Sequence, residues 1–189
     1  MITLNNQYAV VLDACVLAPM PLCDTLLRLA EEPAFFAPKW SQPILDEVGN
    51  YLRRKKHPYS EDQITYRLAK MNEAFEEAMV DGFESLIPCM DGMDRDPNDR
   101  HVLAAAVRCG ADAIITSNVR DFPKAALDRY GVELMTPDEF LVNQYHFDPE
   151  TVLDKLKEQS VAVGCELRAL LATLGLVAPQ FAELANTPL

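Results

Sequence analysis

The sequence predicts an α/β fold in which a central, mainly parallel sheet is flanked by helices. Strand patterns and helix patterns alternate up to residue 145, and three short apolar runs, YAVVL, AII and VELM, are typical of buried strands. Consecutive parallel strands need crossover helices, so this alternation favours a parallel sheet that is covered on both faces. The remainder of the chain has helix patterns only.

Apolar spacing and capping residues define the elements of the first half. Residues 8–12 predict the first strand, and PLCDTLLRLAEE predicts a helix with its leucines on one face. SQPILDEVGNYLRRKK predicts a second helix, with Ser41 as its N-cap and Pro43 in its first turn. Ser60 and Gln63 form a capping box before a third amphipathic helix.

The second half continues the alternation. NDRHVLAAAVRCG predicts an alanine-rich helix that ends at Gly110, and ADAIIT predicts the second buried strand. VELM predicts a third strand, after which Thr136, Pro137 and Glu139 form another capping arrangement. We therefore expect one α/β domain over residues 1–145.

Residues 146–189 predict a C-terminal helical extension. One helix is expected to start at Asp148 and Pro149, and CELRALLATLGL predicts another after Gly164. The second helix places leucines at i, i+3, i+4 and i+7 on one stripe, namely Leu167, Leu170, Leu171 and Leu174. We expect this stripe to pack on the chain's own domain. The alternatives are that the stripe packs on a second copy of the chain or on a protein partner.

Composition indicates a globular protein, with 189 residues that are 49% hydrophobic and 24% charged. The five cysteines are odd in number and lack the spacing of metal ligands, which argues against a disulfide framework and a structural zinc site. MITLNNQYAV lacks the pattern of a signal peptide, and no apolar run has the length of a membrane span. We expect a cytoplasmic protein with no membrane partner.

The net charge of −12 argues against a nucleic-acid partner, because phosphates attract basic surfaces. This argument fails if several acids converge on divalent cations, which then supply the local positive charge. The basic residues are also clustered. The segment YLRRKKHP contains the consecutive residues Arg53, Arg54, Lys55 and Lys56.

Acidic and polar residues follow the predicted strands directly. Asp13 ends the apolar run of the first strand, and a second group follows AII. Because ligands of an open parallel sheet gather beyond the carboxyl ends of its strands, we expect these side chains to share one site. Two further acids, each near the start of a helix, can reach the same crevice. The full set is Asp13, Glu47, Asp99, Thr116, Asn118 and Asp121.

Each acid also has an ordinary structural interpretation. Asp99 can complement a helix dipole, Glu47 can face solvent, and Asp121 can form an Asx turn. Asp13 is different, since a charge among apolar residues costs several kcal/mol unless it has a partner. The acids that we expect to be only turn residues or solvent-facing residues are Asp46, Asp91, Asp94 and Asp96.

Four acids that meet at one edge of a sheet require a cation. Their ligand atoms are all oxygen, which favours Mg²⁺ or Mn²⁺ over zinc. His101 lies two residues beyond Asp99. We interpret it as a surface or packing residue and not as a ligand.

Four segments together resemble the acidic motifs of PIN-domain ribonucleases. They are VVLDACVL, ILDEV, DPNDRHVLAAAV and AIITSNVRDFP, in the order and spacing of that family, and they cover about residues 7–142. Within the family the chain resembles the VapC-type toxins of bacterial toxin–antitoxin pairs. The resemblance implies a PIN-like three-layer fold, a Mg²⁺- or Mn²⁺-dependent endoribonuclease, an RNA substrate, a cognate antitoxin protein and a homodimer.

The resemblance also implies roles for the site residues. Asp13, Glu47, Asp99 and Asp121 would form the metal-binding and catalytic quartet. Thr116 and Asn118 would be polar supports. Asn118 stands where many relatives carry an aspartate, which removes one charge from the side of a second metal ion.

The expected reaction is hydrolysis of an RNA phosphodiester by in-line attack of water. Asp13 and Asp99 would anchor the principal ion, and Glu47 would orient or deprotonate the water. Asp121 with Asn118 would hold a second ion or a water. Thr116 would fix Asp13 by a hydrogen bond. The basic run Arg53, Arg54, Lys55 and Lys56 would grip RNA phosphates, with a solvated helix end as the alternative.

Other classes of protein fit the residues less well. A dehalogenase-like phosphatase requires a second acid two residues after the first, where this chain has Cys15. A receiver domain requires an acidic pair at the first strand and a lysine near the last, and neither is evident. A catalytically degenerate PIN-like interaction module remains the main alternative, and a Mg²⁺-dependent phosphatase is the other.

Overall fold

The central sheet has four parallel strands in the order β2-β1-β3-β4. The computed structural model describes residues 8–93 and 95–187, so Asp94 and the segment MITLNNQ lie outside the described residues. The strands are β1 (Ala9–Leu12), β2 (Ala37–Lys39), β3 (Ala113–Ile115) and β4 (Glu133–Met135). This confirms the predicted α/β class, the parallel sheet and the three predicted strands.

Strand β2 was not predicted from the sequence. It has three residues with Pro38 at its centre, and it pairs with β1 in parallel, with Val10 opposite Pro38. Proline is tolerated on an edge strand, where its missing N–H faces away from the neighbouring strand. Because β2 and β3 lie on opposite sides of β1, the chain changes direction across the sheet between β1 and β3. A crevice at the carboxyl ends of these strands is where such folds bind ligands.

Helices flank the sheet. The short turns of 3₁₀ helix are Glu84–Cys89, Pro97–Asp99 and Val119–Asp121. The α-helices are α1 (Ala14–Leu17), α2 (Met20–Ala30), α3 (Gln42–Arg53), α4 (Glu61–Ala74), α5 (Arg100–Cys109), α6 (Lys124–Asp128), α7 (Pro137–Phe147), α8 (Pro149–Val163), α9 (Leu167–Leu174) and α10 (Pro179–Ala185). The short helices α1, α6 and α10 have no counterpart among the sequence predictions.

Two predicted capping boxes are confirmed. Ser60 accepts a hydrogen bond from the Gln63 backbone at 3.2 Å, and the Gln63 side chain accepts one from the Ser60 backbone at 2.9 Å. Thr136 and Glu139 make the equivalent pair at the start of α7. Ser41 occupies the N-cap position of α3 as predicted, but its buried hydroxyl has no hydrogen-bond partner among the described residues.

Strands β1 and β3 form the centre of the core. Val10, Val11 and Leu12 of β1 are fully buried, as is every residue of β3. Burial on both faces explains why these strands appear in the sequence as continuous apolar runs and not as alternating patterns. A polar side chain at the end of such a strand is held by rigid backbone.

The C-terminal helices pack on the rest of the chain. Leu170, Leu171 and Leu174 are buried, and Leu167 is partly buried, as expected for packing on the chain's own domain. Two buried polar contacts fix this packing. Gln159 of α8 accepts a hydrogen bond from the Thr25 hydroxyl at 2.7 Å, and Asp138 of α7 accepts one from the Phe181 backbone at 2.9 Å.

Within 8–93 and 95–187, no helix is both long enough and apolar enough to cross a membrane.

Candidate metal centre

Asp13 and Thr116 join the carboxyl ends of β1 and β3. The Thr116 hydroxyl donates a hydrogen bond to Oδ2 of Asp13 at 2.6 Å, and both residues are buried. Oδ1 of Asp13 accepts from the Ala14 backbone N–H at 2.6 Å and so caps α1. Hydrogen-bond donors of this kind offset the cost of burying a carboxylate.

Cys15 is a third partner of Asp13 and was not predicted. Its thiol donates to Oδ2 of Asp13 at 3.1 Å, while its sulfur accepts from the Ser117 backbone at 3.2 Å. Burial, followed by the negative charge of Asp13, raises the pKa of Cys15 to about 12. Cys15 is therefore a neutral thiol that donates to the carboxylate.

Asn118 connects the end of β3 to Asp99. Its backbone N–H donates to the Thr116 hydroxyl oxygen at 2.9 Å, and its side-chain amide donates to Oδ2 of Asp99 over a long 3.5 Å. The Asn118 residue is exposed. Its amide therefore faces the crevice from the solvent side.

Asp99 lies among the other acids. It is the last residue of the turn Pro97–Asp99 and the N-cap of α5, so it lies near the start of a helix as expected. Partial burial raises the pKa of Asp99 to about 6, and repulsion from Asp13, Asp96, Glu47 and Asp121 adds to the increase. The predicted quartet therefore interacts electrostatically around Asp99.

Asp96 belongs to the same cluster, although the sequence predicted only a turn residue. It does support the turn, because its Oδ1 accepts from the Asn98 backbone at 2.9 Å. Carboxylate oxygens of Asp96, Asp99 and Asp121 also lie within 4.8 Å of one another. Residues three apart in a 3₁₀ turn lie on the same side of the turn. The spacing of Asp96 and Asp99 could therefore have predicted that their side chains lie together.

Asp121 closes the cluster from the turn after β3. Its side chain is only 18% exposed, and its Oδ1 lies 3.5 Å from Nε of Arg95, whose side chain is 61% exposed. This ion pair places an exposed guanidinium beside the acids. Arg95 was not singled out in the sequence, since nothing in its spacing relates it to a strand end.

Glu47 reaches the site from α3 and contacts α5. Its Oε1 lies 3.1 Å from Nε2 of His101. The side chain of His101 is 11% exposed and that of Glu47 is 42% exposed. The expectation that His101 is an isolated packing or surface residue is thus incomplete, because the ring contacts a member of the quartet.

The predicted RNA-binding run divides into two kinds of residue. Arg53 makes two 2.7 Å hydrogen bonds to Glu61, and Lys55 lies over the ring of Tyr51. The remaining members, Arg54 and Lys56, are exposed. Arg53 lies six residues after Glu47, which is roughly 9 Å along the axis of α3.

The chemistry of the site fits a hard divalent cation. The clustered donors are carboxylate oxygens, the ligands that Mg²⁺ and Mn²⁺ prefer, and at least three of them lie close enough to share one ion. Burial, and then repulsion from the neighbouring acids, raises the pKa of Asp99, and a cation between the carboxylates would relieve that repulsion. The chain is thus an α/β protein with a cluster of carboxylates beside the carboxyl ends of its parallel strands.

Comparison with known proteins agrees with this description. A family model described as the PIN domain matches residues 9–120, and the chain therefore belongs to the PIN domain family. A curated protein of Mycobacterium tuberculosis (strain ATCC 25618 / H37Rv), named "Putative ribonuclease VapC50", is 36% identical to the chain over 112 residues. The aligned region is 58% of this chain and 64% of that relative, so the chain spans less than two thirds of its length. No solved structure matched the chain.

Proposed function

We propose that this protein is a Mg²⁺- or Mn²⁺-dependent endoribonuclease. The observation that carries the proposal is the cluster of Asp96, Asp99 and Asp121, whose carboxylate oxygens lie within 4.8 Å of one another. The charges of Asp13 and Glu47 also raise the pKa of Asp99, which supports their membership of the same site. The similarity to a protein of M. tuberculosis that is named as a ribonuclease supports RNA as the substrate class.

Asp13, Glu47, Asp99 and Asp121 would hold the metal, with Asp96 as an additional ligand. When bound, the ion acidifies water, polarises the phosphoryl group and neutralises the leaving oxygen. Asp96 supplies a negative charge on the side where Asn118 replaces the aspartate of many relatives. The position of its carboxylate beside Asp99 and Asp121 supports this assignment.

The site residues would also orient the reactants. Besides binding the metal, Glu47 would accept a proton from the water that attacks phosphorus in line with the 3′ oxygen. The bond between phosphorus and the 3′ oxygen then breaks, and that oxygen takes a proton from solvent, leaving a 5′-phosphate and a 3′-hydroxyl. Thr116 holds Asp13 in place, and the amide of Asn118 restrains Asp99.

Cationic side chains near the site would bind RNA phosphates. Arg95 is well placed for the phosphate nearest the acids, because it already pairs with Asp121 and is mostly exposed. Arg54 and Lys56 are exposed at the end of α3 and would contact phosphates further along the strand. Arg53 and Lys55 have partners within the chain and would contribute less.

We further propose that the chain acts in the cytoplasm as a toxin, restrained by a cognate antitoxin protein, and that it forms a homodimer. The similarity to a protein named VapC50 supports this role. Induced expression of the wild type should arrest bacterial growth, whereas Asp13→Asn should not. Growth arrest by both would mean that the arrest does not depend on the metal centre.

The decisive experiment is cleavage of a single-stranded RNA pool by the purified chain. Cleavage should require Mg²⁺ or Mn²⁺ and should be lost in a chelator. Asp13→Asn should keep the fold and lose most of the activity, because it removes a ligand charge without changing volume. Asp81→Asn, at an exposed position outside the cluster, is the matched control.

Three results would reject the proposal. Full cleavage by folded Asp13→Asn would remove the metal centre from the reaction. A folded wild type that neither binds Mn²⁺ nor cleaves RNA would favour the degenerate interaction module. Hydrolysis of a phosphate monoester without RNA cleavage would favour the phosphatase.

A further inference from the structure

Glu47 and His101 face each other across two helices that are distant in sequence. Glu47 lies in α3 and His101 in α5, and their side chains meet with Nε2 of the histidine 3.1 Å from Oε1 of the glutamate. Glu47 is substantially exposed, at 42%, whereas His101 is nearly enclosed, at 11%. The contact thus joins a fixed ring to a carboxylate that borders solvent.

The surroundings of the ring determine how the contact works. Nδ1 of His101 is buried and has no hydrogen-bond partner among the described residues. A hydrogen on Nδ1 would be a buried donor without an acceptor, which is costlier than a buried lone pair. The tautomer with its hydrogen on Nε2 therefore suits this position. In that tautomer His101 donates to Glu47.

We propose that His101 is a positioning residue that holds the Glu47 carboxylate in the metal centre, an inference that rests on the proposed function. Both ring nitrogens are accounted for, since Nε2 is directed at Glu47 and Nδ1 is enclosed. His101 therefore touches neither the metal nor the RNA. It acts on the reaction through Glu47 alone.

Glu47 needs such a partner for an electrostatic reason. Its charge is one of those that raise the pKa of Asp99, so Glu47 and Asp99 repel each other. A half-exposed glutamate with three rotatable bonds relieves this repulsion by turning towards water. The hydrogen bond from the enclosed ring opposes that rotation. Partners of metal-site ligands typically contribute about 10- to 100-fold to metal affinity or activity.

The test compares two replacements of His101 in the full-length chain. His101→Phe fills a similar volume without a donor, and His101→Gln keeps a donor of comparable reach. We expect His101→Phe to lower kcat and Mn²⁺ affinity by about 10- to 100-fold. KM for RNA should be unchanged, and His101→Gln should recover most of the loss. His146→Phe, at an exposed histidine near the end of α7, is the matched control.

A double-mutant cycle separates positioning from packing. If His101 acts only through Glu47, His101→Phe should have almost no further effect on Mn²⁺ affinity in a Glu47→Gln background. His101→Asn, whose amide is too short to reach Glu47, replaces the phenylalanine variant if that variant does not fold. Equal losses in both backgrounds would overturn the inference, as would unchanged kcat and Mn²⁺ affinity in the folded single variant.

The cycle uses metal binding measured without RNA, so it is independent of the activity assay. A wild type that binds Mn²⁺ but cleaves no RNA would reject the proposed nuclease. The cycle would still decide whether His101 positions Glu47.

Discussion

The hydroxyl of Thr116 lies 2.6 Å from Oδ2 of Asp13 and connects the ends of two neighbouring parallel strands. Asp13 follows β1 and Thr116 follows β3, and both side chains are buried. Thr116 also accepts a hydrogen bond from the Asn118 backbone. The orientation of Asp13 is therefore coupled to the turn that carries Asn118 and Asp121.

Replacing Thr116 with valine should destabilise the protein. Thr116→Val preserves the shape of the side chain but removes a hydrogen bond to a charged group, which contributes about 1.5–3 kcal/mol. Urea denaturation in metal-free buffer measures this loss. Ser117→Ala, at the exposed neighbouring position, should change stability by less than about 0.5 kcal/mol. Equal stability of Thr116→Val and the wild type would mean that the Asp13 bond contributes nothing to folding.

Asp99→Asn should stabilise the metal-free protein above pH 6. The pKa of Asp99 is about 6 in the folded chain, against 3.8 ordinarily. Between these values the folded state keeps a proton that the unfolded chain has released. The free energy of unfolding therefore falls as the pH rises from 4 to 6, and it stays lower above 6.

Melting temperatures measured in chelator test this prediction. Asp99→Asn should melt higher than the wild type at pH 7.5, and the difference should shrink towards pH 4. Asp81→Asn should show no such dependence on pH. Added Mg²⁺ should raise the melting temperature of the wild type more than that of Asp99→Asn. A lower melting temperature of Asp99→Asn at pH 7.5 would contradict the raised pKa of Asp99.

The basic run should bind RNA mainly through Arg54 and Lys56. Replacing both with glutamine should flatten the salt dependence of binding by about 0.7 slope units for each lost phosphate contact. Arg53→Gln should have a smaller effect, because Glu61 already neutralises that guanidinium. Fluorescence anisotropy of a labelled single-stranded RNA, in an Asp13→Asn background that prevents cleavage, measures these slopes.

Lys157→Gln is the control for the RNA-binding experiment, because Lys157 is exposed on α8 and paired with Asp154. If the replacement of Arg54 and Lys56 leaves the salt dependence of RNA binding unchanged, the basic run does not bind RNA and is only a solvated helix end. A larger effect of Arg53→Gln than of the double replacement would contradict the division of the run.

The leucine stripe of α9 should contribute to the stability of the whole chain. Leu174 is fully buried, and Leu174→Ala should cost about 2–5 kcal/mol. Leu176→Ala, two residues later and 83% exposed, should cost less than about 0.5 kcal/mol. Truncation after Tyr145 should lower solubility or melting temperature, because it uncovers the apolar surface under α8 and α10. A soluble, active truncation with an unchanged melting temperature would contradict this.

The features that the sequence predicted correctly depend on local chemistry or on a general rule of sheets. Continuous apolar runs identified β1 and β3 because these strands are buried on both faces. The capping boxes at Ser60 and Thr136 were visible because their partners are three residues apart. The strand-end rule brought Asp13 and Thr116 together without any contact information.

The features that were missed depend on contacts between distant segments. β2 is too short for a periodic pattern, and it is recognisable only by its pairing with β1. Asp96 was correctly expected in a turn, but nothing in the sequence shows that the turn faces Asp121. The contact between Glu47 and His101 spans 54 positions and depends on how α3 packs beside α5. Single-sequence patterns contain no information on such packing.

Cys15 should resist thiol-specific labelling because its thiol is protonated. Burial and the charge of Asp13 raise the pKa of Cys15 to about 12, so its thiol stays protonated at pH 8, and only the thiolate attacks a maleimide or iodoacetamide. Cys89 and Cys165 are exposed. A fluorophore or spin label applied to the unmodified chain should therefore attach at these two positions before it attaches at the partly buried Cys109, and it should leave the thiol beside Asp13 intact.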